Sequence, residues 1–565
     1  MSEAPDESLA VREFLERNDT LVKEAFQRGE FDYLEAAFEV DETDFFRAIT
    51  EKKVLEKLSK TYPTPRKKHD VPLWVYVASD IAMRFHNVNQ FYAFPYVVRS
   101  GGMLQAFGSQ MGHKAIHPDT GDTSLRCEGF NRKNSYDRQT PCDQDYLRKM
   151  ARGTDAQKLL TWFNRDVVGI FRQHHALDAE GIFIGDATYL MVPDNPNYKG
   201  SSRMCFDTHN HPVNPGKLTA KQRESCVWRR CYKMVSLIHT NRDAEFFLYA
   251  GVTLTAGKNH ENPLLYQLVE QFITYHGKGI IKKLILDRGF LDGFNIGRCK
   301  TKFGIDIVIP ARENMEVYKD VVGLAEAGYL SFTPYVPQIC PLPPLAIPKP
   351  EVIRKRERTR QKTLAQRKRK EKTTVQDPSK TRVGSEVALV NEVESFTQCP
   401  VPLSAVVNRE SYANGTHDYW VLLTTETVSD PLPCRHEYAL RTVIEERHRQ
   451  LKCFAFLQKF SSTCFNLITN QVVFILLTYS LLQWYLVRIN RKDLTRRTPP
   501  RIRDILLPTL GIIILYYKNC AAFLHPLEHQ ELVLTLKKDA HKKILAKTRR
   551  LRRELAHLLN HPRAP

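Results

Sequence analysis

Apolar positions recur along the chain with two different periods, and the switches between them divide it. Over residues 8–60, Leu9, Val11, Phe14 and Leu15 open one amphipathic pattern, and Phe45, Phe46, Ile49, Val54, Leu55 and Leu58 make another. These predict two or three helices. Residues 72–108 are apolar-rich with Gly101-Gly102 as a break, and residues 146–152 add a further helical piece, so residues 1–153 read as a mostly helical N-terminal region. Thr154-Asp155-Ala156-Gln157 has the form of a capping box and predicts a helix through Leu160, Phe163, Val167 and Phe171.

The period then changes. Residues 181–192 are apolar on both faces, which predicts a strand buried inside a covered sheet. Strand-like runs follow at 233–239 and 245–255, with Gly251 as a bulge in the second. A helix over 263–275 leads into a short buried strand from Ile280 that ends in Asp287-Arg288-Gly289-Phe290, and residues 304–310 read as another strand. Asp292 lies past the turn, where it caps the following helix. Residues 193–228 form a polar excursion, expected as a mobile loop or one that faces the partner implied by the charge below; its Cys205, Asp207, His209 and His211 lack a second ligand pair at metal-site spacing. Residues 311–418 read as an insertion, with a Pro-rich piece over 334–350 and a basic run over 354–372 that suits a disordered arm or a charged helix. Residues 419–424 are a short strand that returns the chain to its core.

Two very apolar stretches follow, 472–487 and 505–517. Each is shorter than the roughly 20 residues a bilayer needs, and Thr478, Ser480, Gln483 and Pro508 interrupt them, so buried helices are expected and no membrane partner. Residues 528–559 read as a basic helix.

Between the returning strand and the apolar stretches, residues 437–452 contain no Gly or Pro and read as one helix. At 100° per residue, Tyr438, Arg441, Glu445 and Lys452 fall at about 0°, 300°, 340° and 320°, a stripe roughly 60° wide and about 21 Å long. Leu440, Val443, Ile444, Leu451 and Phe454 take the opposite side, which Arg447 interrupts. Spacing alone also fits a salt-bridged solvent face, since Arg441 and Glu445 are four residues apart.

Charge narrows the partner. The formal net charge is +20 over 565 residues, a length that predicts several domains or large insertions. Residues 351–383 carry 13 Lys or Arg against 4 acids and residues 537–554 carry 9 against 2, so most of the excess lies in two stretches. That pattern predicts phosphate contacts and a nucleic-acid partner. The 12 cysteines show neither a C-x-x-C pair nor regular spacing, which argues for reduced thiols rather than a disulfide framework. No apolar run opens the chain, so a cytoplasmic location is expected.

Asp186 stands in the middle of the doubly apolar strand. A carboxylate buried there costs several kcal/mol unless it is neutral, paired or metal-bound.

Tyr438, Arg441, Glu445 and Lys452 match without a gap the pattern Y-x2-R-x3-E-x6-K, which resembles the signature of the insertion-sequence-four transposases. That family is similar to retroviral integrases in carrying three acids on a ribonuclease-H-like fold. The resemblance implies a fold class of α/β type, a ribonuclease-H-like mixed sheet flanked by helices; the order of strands here matches its meander. Asp287, in a D-R-G-F run, is similar to the family's second acid, and Asp186 and Glu445 are then the first and third. The 158 residues from Asp287 to Glu445 accommodate the strand-rich insertion of the larger members. The family often has Trp where this chain has Thr442.

On this resemblance the catalytic core spans residues 154–310 and 419–490, split by the insertion at 311–418. Residues 1–153 contribute to recognising transposon ends, and residues 491–565 form a helical, basic region for DNA or dimer contacts. Asp186, Asp287 and Glu445 are implied ligands of two Mg2+ ions about 4 Å apart, with Mn2+ able to substitute. Arg441 and Lys452 are implied phosphate clamps, and Tyr438 a contact to the end nucleotide. The implied activity is metal-dependent cleavage at terminal repeats and strand transfer into target DNA, by a homodimer that pairs two ends in a prokaryotic cytoplasm. An inactive DNA-binding derivative and a nuclease without strand transfer are the alternatives.

Overall fold

The computed structural model describes residues 16–38, 42–67, 71–94, 97, 113–116, 123–126, 143–208, 211–337, 381–497, 511–518 and 520–560. The expected pattern at Leu9 to Leu15, the Gly101-Gly102 break, His209, the basic run at 354–372 and most of the Pro-rich piece lie outside these residues.

In chain order the strands are β1 (Glu16–Arg17), β2 (Tyr33–Phe38), β3 (His113–Ile116), β4 (Thr123–Arg126), β5 (Ile182–Val192), β6 (Ser202–Phe206), β7 (Pro212–Val213), β8 (Val227–Thr240) and β9 (Leu248–Ala256). They continue as β10 (Lys283–Leu286), β11 (Asp306–Pro310), β12 (Thr333–Pro334), β13 (Arg382–Val393), β14 (Leu403–Tyr412), β15 (His417–Thr424), β16 (Gly511–Tyr517) and β17 (Cys520–Leu524).

One mixed sheet of eleven strands dominates. At its heart the order is β9-β8-β5-β10-β11: β9, β8 and β5 are antiparallel neighbours, while β10 runs parallel to β5 and β11 parallel to β10. This is the ribonuclease-H-like arrangement. The parallel pairs sit in the middle, which explains why β5 and β10 are apolar on both faces. In β9 the register slips between Leu237 and Ile238 of its partner, beside Gly251, at the predicted bulge.

Among the described residues, the strands of the insertion join the main sheet. β15 pairs antiparallel with β11, β14 with β15, β13 with β14 and β12 with β13, so the insertion extends the catalytic sheet outward. The excursion at 193–228, expected as a loop, carries β6, which pairs with β8, and β7, which pairs with β6. Polar side chains hid these strands, because one exposed edge lets half of their positions be hydrophilic.

Helices cover both faces. Glu261–His276, Gly293–Arg298 and Glu316–Glu326 pack on one face through Phe183, Leu265, Val269, Phe272, Leu284 and Ile307. The other face buries Ile182, Ile184, Leu190 and Ile285 beneath Leu440–Phe454, hereafter the signature helix, and Phe465–Arg488, the central helix. The central helix is long and apolar enough to cross a membrane, yet 78% of its most apolar window is buried inside the fold. It serves as the hydrophobic spine to which the helices Glu42–Glu51, Val54–Thr61, Leu73–Phe85 and Gln144–Gly153 attach. There Asn470 donates to Asp80 at 2.6 Å and accepts from Tyr76 at 3.0 Å.

One local expectation shifts by a single residue. Asp155, not Thr154, caps the next helix by accepting from Lys158 N, while the Thr154 hydroxyl bonds back to Met150 O. That helix widens into a π-type turn at Phe163–Val167, where His276 bonds the freed Asn164 carbonyl at 2.8 Å.

The larger correction concerns residues 1–153 and 491–565, expected as separate, mostly helical regions. β1 and β2 from the first combine with β16 and β17 from the second in a four-stranded sheet ordered β1-β17-β16-β2. Helices Asp19–Gln27, Pro526–Leu534 and Lys538–Asn560 accompany it over a core of Val22, Phe26, Phe31, Leu515, Ala522, Leu524 and Ile544. The apolar stretch at 505–517, expected as a helix, is described from Gly511 onward and there forms a strand. Its run of Ile512-Ile513-Ile514 is β-branched, which suits a pleated surface better than a helix.

Candidate active site

β5 brings Asp186 to the middle of the sheet, on the face covered by the signature helix. Leu286 of β10 lies opposite Gly185 of β5, so one further residue sets Asp287 beside Asp186. Neighbours in register on parallel strands share a face. The close approach uses Gly185: a Cβ there would lie 2.7 Å from a Leu286 methyl and 2.8 Å from a Leu265 methyl.

Asp186 is buried, at 8% exposure, and its Oδ2 lies 2.9 Å from His448 Nδ1. Asp287 ends its strand and caps the turn Arg288–Phe290, with Oδ1 accepting from Arg288 N at 2.7 Å. Its Oδ2 accepts from Arg441 at 3.0 Å. The same guanidinium nitrogen lies 2.9 Å from Glu445 Oε1, so Arg441 bridges the second and third acids. Burial opposes its charge, but Asp287, Tyr438 and Glu445 outweigh that and hold the guanidinium above its ordinary pKa.

Lys452, two turns beyond Glu445, donates to the Thr188 hydroxyl. Thr188 follows Asp186 by two residues and shares its face. Burial lowers the Lys452 pKa, against the pull of Asp186 in the other direction. Thus Arg441, Glu445 and Lys452 converge on the strand acids, as their helical spacing predicts.

Tyr438 does not belong to that helix. The chain forms one helix over Pro431–Tyr438 and a second from Leu440, joined at Ala439 by three-residue hydrogen bonds from Ala439 N to His436 O and from Thr442 N to Ala439 O. The cause lies in the neighbours: buried Glu437 is drawn to Lys283 and Arg242, and Tyr438 packs against Trp420 at 6.0 Å between centroids. Burial pushes the Tyr438 phenol up to about 12. Arg435 lies over Trp420 at 4.5 Å and over Tyr335 at 4.6 Å, extending the aromatic group into the insertion.

Arg447, which interrupted the apolar face, is buried for a structural reason. It donates to Thr495 O at 3.1 Å and Arg496 O at 3.0 Å, and its guanidinium covers the Phe247 ring. It satisfies carbonyls at the end of the short helix Lys492–Thr495. His448 and Thr188 were absent from the sequence-derived site. His448 falls at about 280° on the same wheel, at the edge of the polar stripe, and that position was the available signal.

Among the described residues, no group of three or more His, Cys, Asp and Glu side chains is gathered closely enough to hold a metal as it stands. In the excursion, His211 bonds and pairs with Asp207, and no metal cluster forms among its described residues. At Asp186, Asp287 and Glu445 the donor chemistry does fit a hard divalent cation: all three are carboxylates, and a cation, Arg441, already lies between two of them.

The family model described as the transposase DDE domain matches residues 179–481, more than half of the chain. No curated protein matches it.

Proposed function

This chain belongs to the family of transposases with a DDE domain, and we propose that it is a cut-and-paste DNA transposase of the insertion-sequence-four subgroup. On this reading it cleaves at the terminal repeats of its element and joins the freed ends to target DNA. The observation that carries the reading is the convergence on one face of Asp186, Asp287 in adjoining register, and a single helix bearing Arg441, Glu445 and Lys452.

Asp186, Asp287 and Glu445 would hold two divalent cations, Mg2+ or Mn2+, whose chemistry there is to activate a water or 3′-hydroxyl and to offset charge on the leaving oxygen. The protein's own groups do the rest. Arg441, once released from the carboxylates it bridges, presents a planar fork to a phosphodiester oxygen. Lys452 supplies a point charge at the Asp186 end of the cleft, and Thr188 fixes its direction. Tyr438 and Trp420 offer an aromatic face to the terminal nucleotide.

DNA at both transposon ends and at the target is the proposed partner. A homodimer is needed because two ends must be cut together, and the cytoplasm of a prokaryote is the proposed location. The sheet that joins β1 and β2 to β16 and β17, with the exposed Lys538, Lys542 and Lys543 on its last helix, is a fitting surface for backbone phosphates.

The test is cleavage of a labelled duplex carrying the flanking terminal repeats, with Mg2+ or Mn2+, by wild type, Asp186→Ala and Glu445→Ala, followed by joining to a plasmid target. Metal-dependent cuts at the repeat ends and joined products, both absent in the variants, are expected. Binding without cleavage by the wild type would point to a DNA-binding derivative, cutting without joining to a nuclease, and cleavage by both variants would refute the site.

A further inference from the structure

Among the described residues three histidines are buried in or against the sheet, and they are used in two ways. His239 bonds Ile182 O through Nδ1 at 3.0 Å and accepts from Asp178 N through Nε2 at 2.6 Å. His276 bonds Asn164 O at 2.8 Å. Both act as staples for backbone groups. His448 is different: it is 3% exposed, it bonds no backbone group, and its Nδ1 lies 2.9 Å from Asp186 Oδ2. Its Nε2 is buried without a partner, and its ring stacks on Tyr249 at 6.2 Å with an interplanar angle of 27°.

Burying an imidazole costs free energy unless its polar atoms are bonded. Here no backbone group is bonded, and the polar group facing the ring is the Asp186 carboxylate. A carboxylate oxygen can only accept, so a bond across this distance needs the proton on Nδ1. Signature-helix packing through Ile444 and Leu451 on one side, and Tyr249 beneath the ring, leave the imidazole little room to turn. Ser236 stands opposite Asp186 on β8, with its hydroxyl likewise buried and unpartnered, so the strand neighbour does not orient the carboxylate.

We propose that His448 is a positioning residue of the active site: by holding Oδ2 it sets the plane of the Asp186 carboxylate and leaves Oδ1 as the oxygen offered to a divalent cation. The inference rests on the reading of Asp186 as a cation ligand. It also accounts for the place of His448 on the helix, since Glu445, one turn earlier, and His448 then locate the third acid and orient the first from a single rigid element. Partners that orient metal ligands typically contribute 10- to 100-fold to metal affinity or activity.

The experiment compares wild type, His448→Asn, His448→Gln and His448→Leu. Asn can place an amide N–H near the position of Nδ1, Gln places one farther out, and Leu keeps the volume without a donor. Mn2+ affinity is measured by electron paramagnetic resonance on the full chain without DNA, alongside kcat and KM for cleavage and a thermal unfolding curve. Expected are Mn2+ binding and kcat reduced about 10- to 100-fold in Leu and Gln, recovery of most of both in Asn, and KM for DNA unchanged. Equal losses in Asn and Leu, or losses that track the unfolding midpoint alone, would overturn the proposal. Wild-type Mn2+ affinity and kcat in His448→Leu, with cleavage abolished in Asp186→Ala, would refute the positioning role but spare the site. Persistent cleavage in Asp186→Ala would remove the reading on which the proposal rests.

Discussion

Arg441→Met should move three observables in different directions. Arg441 makes charge-assisted contacts to Asp287 at 3.0 Å and Glu445 at 2.9 Å. The two acids keep 34% and 55% of their side-chain exposure, so water screens both contacts. Each is then worth about 1 kcal/mol, well below the value of a buried charged pair. Met preserves the aliphatic length, so the metal-free protein should lose about 2 kcal/mol of stability, read from the urea midpoint. A divalent cation taken up by the same carboxylates must displace the guanidinium, and the variant lacks that competitor. Mn2+ affinity should therefore rise, by about 5- to 30-fold for 1–2 kcal/mol of removed competition. Cleavage should fall at least 100-fold, because the phosphate loses its fork. Titration by electron paramagnetic resonance and a cleavage time course on one preparation give all three. Weaker or unchanged Mn2+ binding in Arg441→Met would refute the idea that the arginine and the cation compete for these acids.

Other expectations follow from packing and protonation. Burial lowers the His239 pKa to about 4, from an unfolded value near 6.5, since protonating Nε2 would break its bond from Asp178 N. The unfolded chain binds the extra proton between those values, so His239 supports full stability above about pH 6.5 and loses it towards pH 4, by roughly 3 kcal/mol; His239→Gln should flatten that part of the stability-versus-pH curve, and an unchanged slope would exclude the assignment. Arg447→Met leaves the Thr495 and Arg496 carbonyls without their donor and should cost about 2–4 kcal/mol in urea unfolding; a loss under 0.5 kcal/mol, on the order of a surface substitution, would contradict the role given to this side chain. Gly185→Ala drives a methyl into Leu286 and Leu265, so stability should fall by about 1–3 kcal/mol, and kcat should fall further than the folded fraction does; normal kcat in the folded fraction would mean that strand spacing at the acids is not critical.

The sequence exposed some of these features because few alternatives fit them. A carboxylate at 186 in a run apolar on both faces has few explanations, and the interval from Arg441 through Glu445 to Lys452 fixes one side of a helix whatever surrounds it. The family and the ribonuclease-H-like sheet could be read from those residues. Asp287 was identified by its D-R-G-F context, since a strand-terminal aspartate before a turn is common; its place beside Asp186 depends on register, which no local pattern encodes. The break at Ala439 was hidden because helix propensity is uninterrupted there, while Glu437 and Trp420 act through tertiary contacts. Short apolar runs do not distinguish a buried helix from a strand, so Ile512 to Tyr517 was misassigned. Its partners, residues 33–38 and 520–524, lie partly at the other end of the sequence.

The pairing of Glu16 with Cys520 and of Arg17 with Ala521 also imposes an order of events during synthesis. A strand placed between distant partners cannot settle until the last of them exists. Translation at about 5–20 residues per second leaves the first segment waiting tens of seconds for its neighbour, and joining them closes a loop of some five hundred residues late rather than early. A message cut short before residue 520 would yield a product with much of its catalytic sheet but without this second sheet. Continuity of the chain from residue 16 to residue 524 is thereby written into whether the four-stranded sheet exists at all.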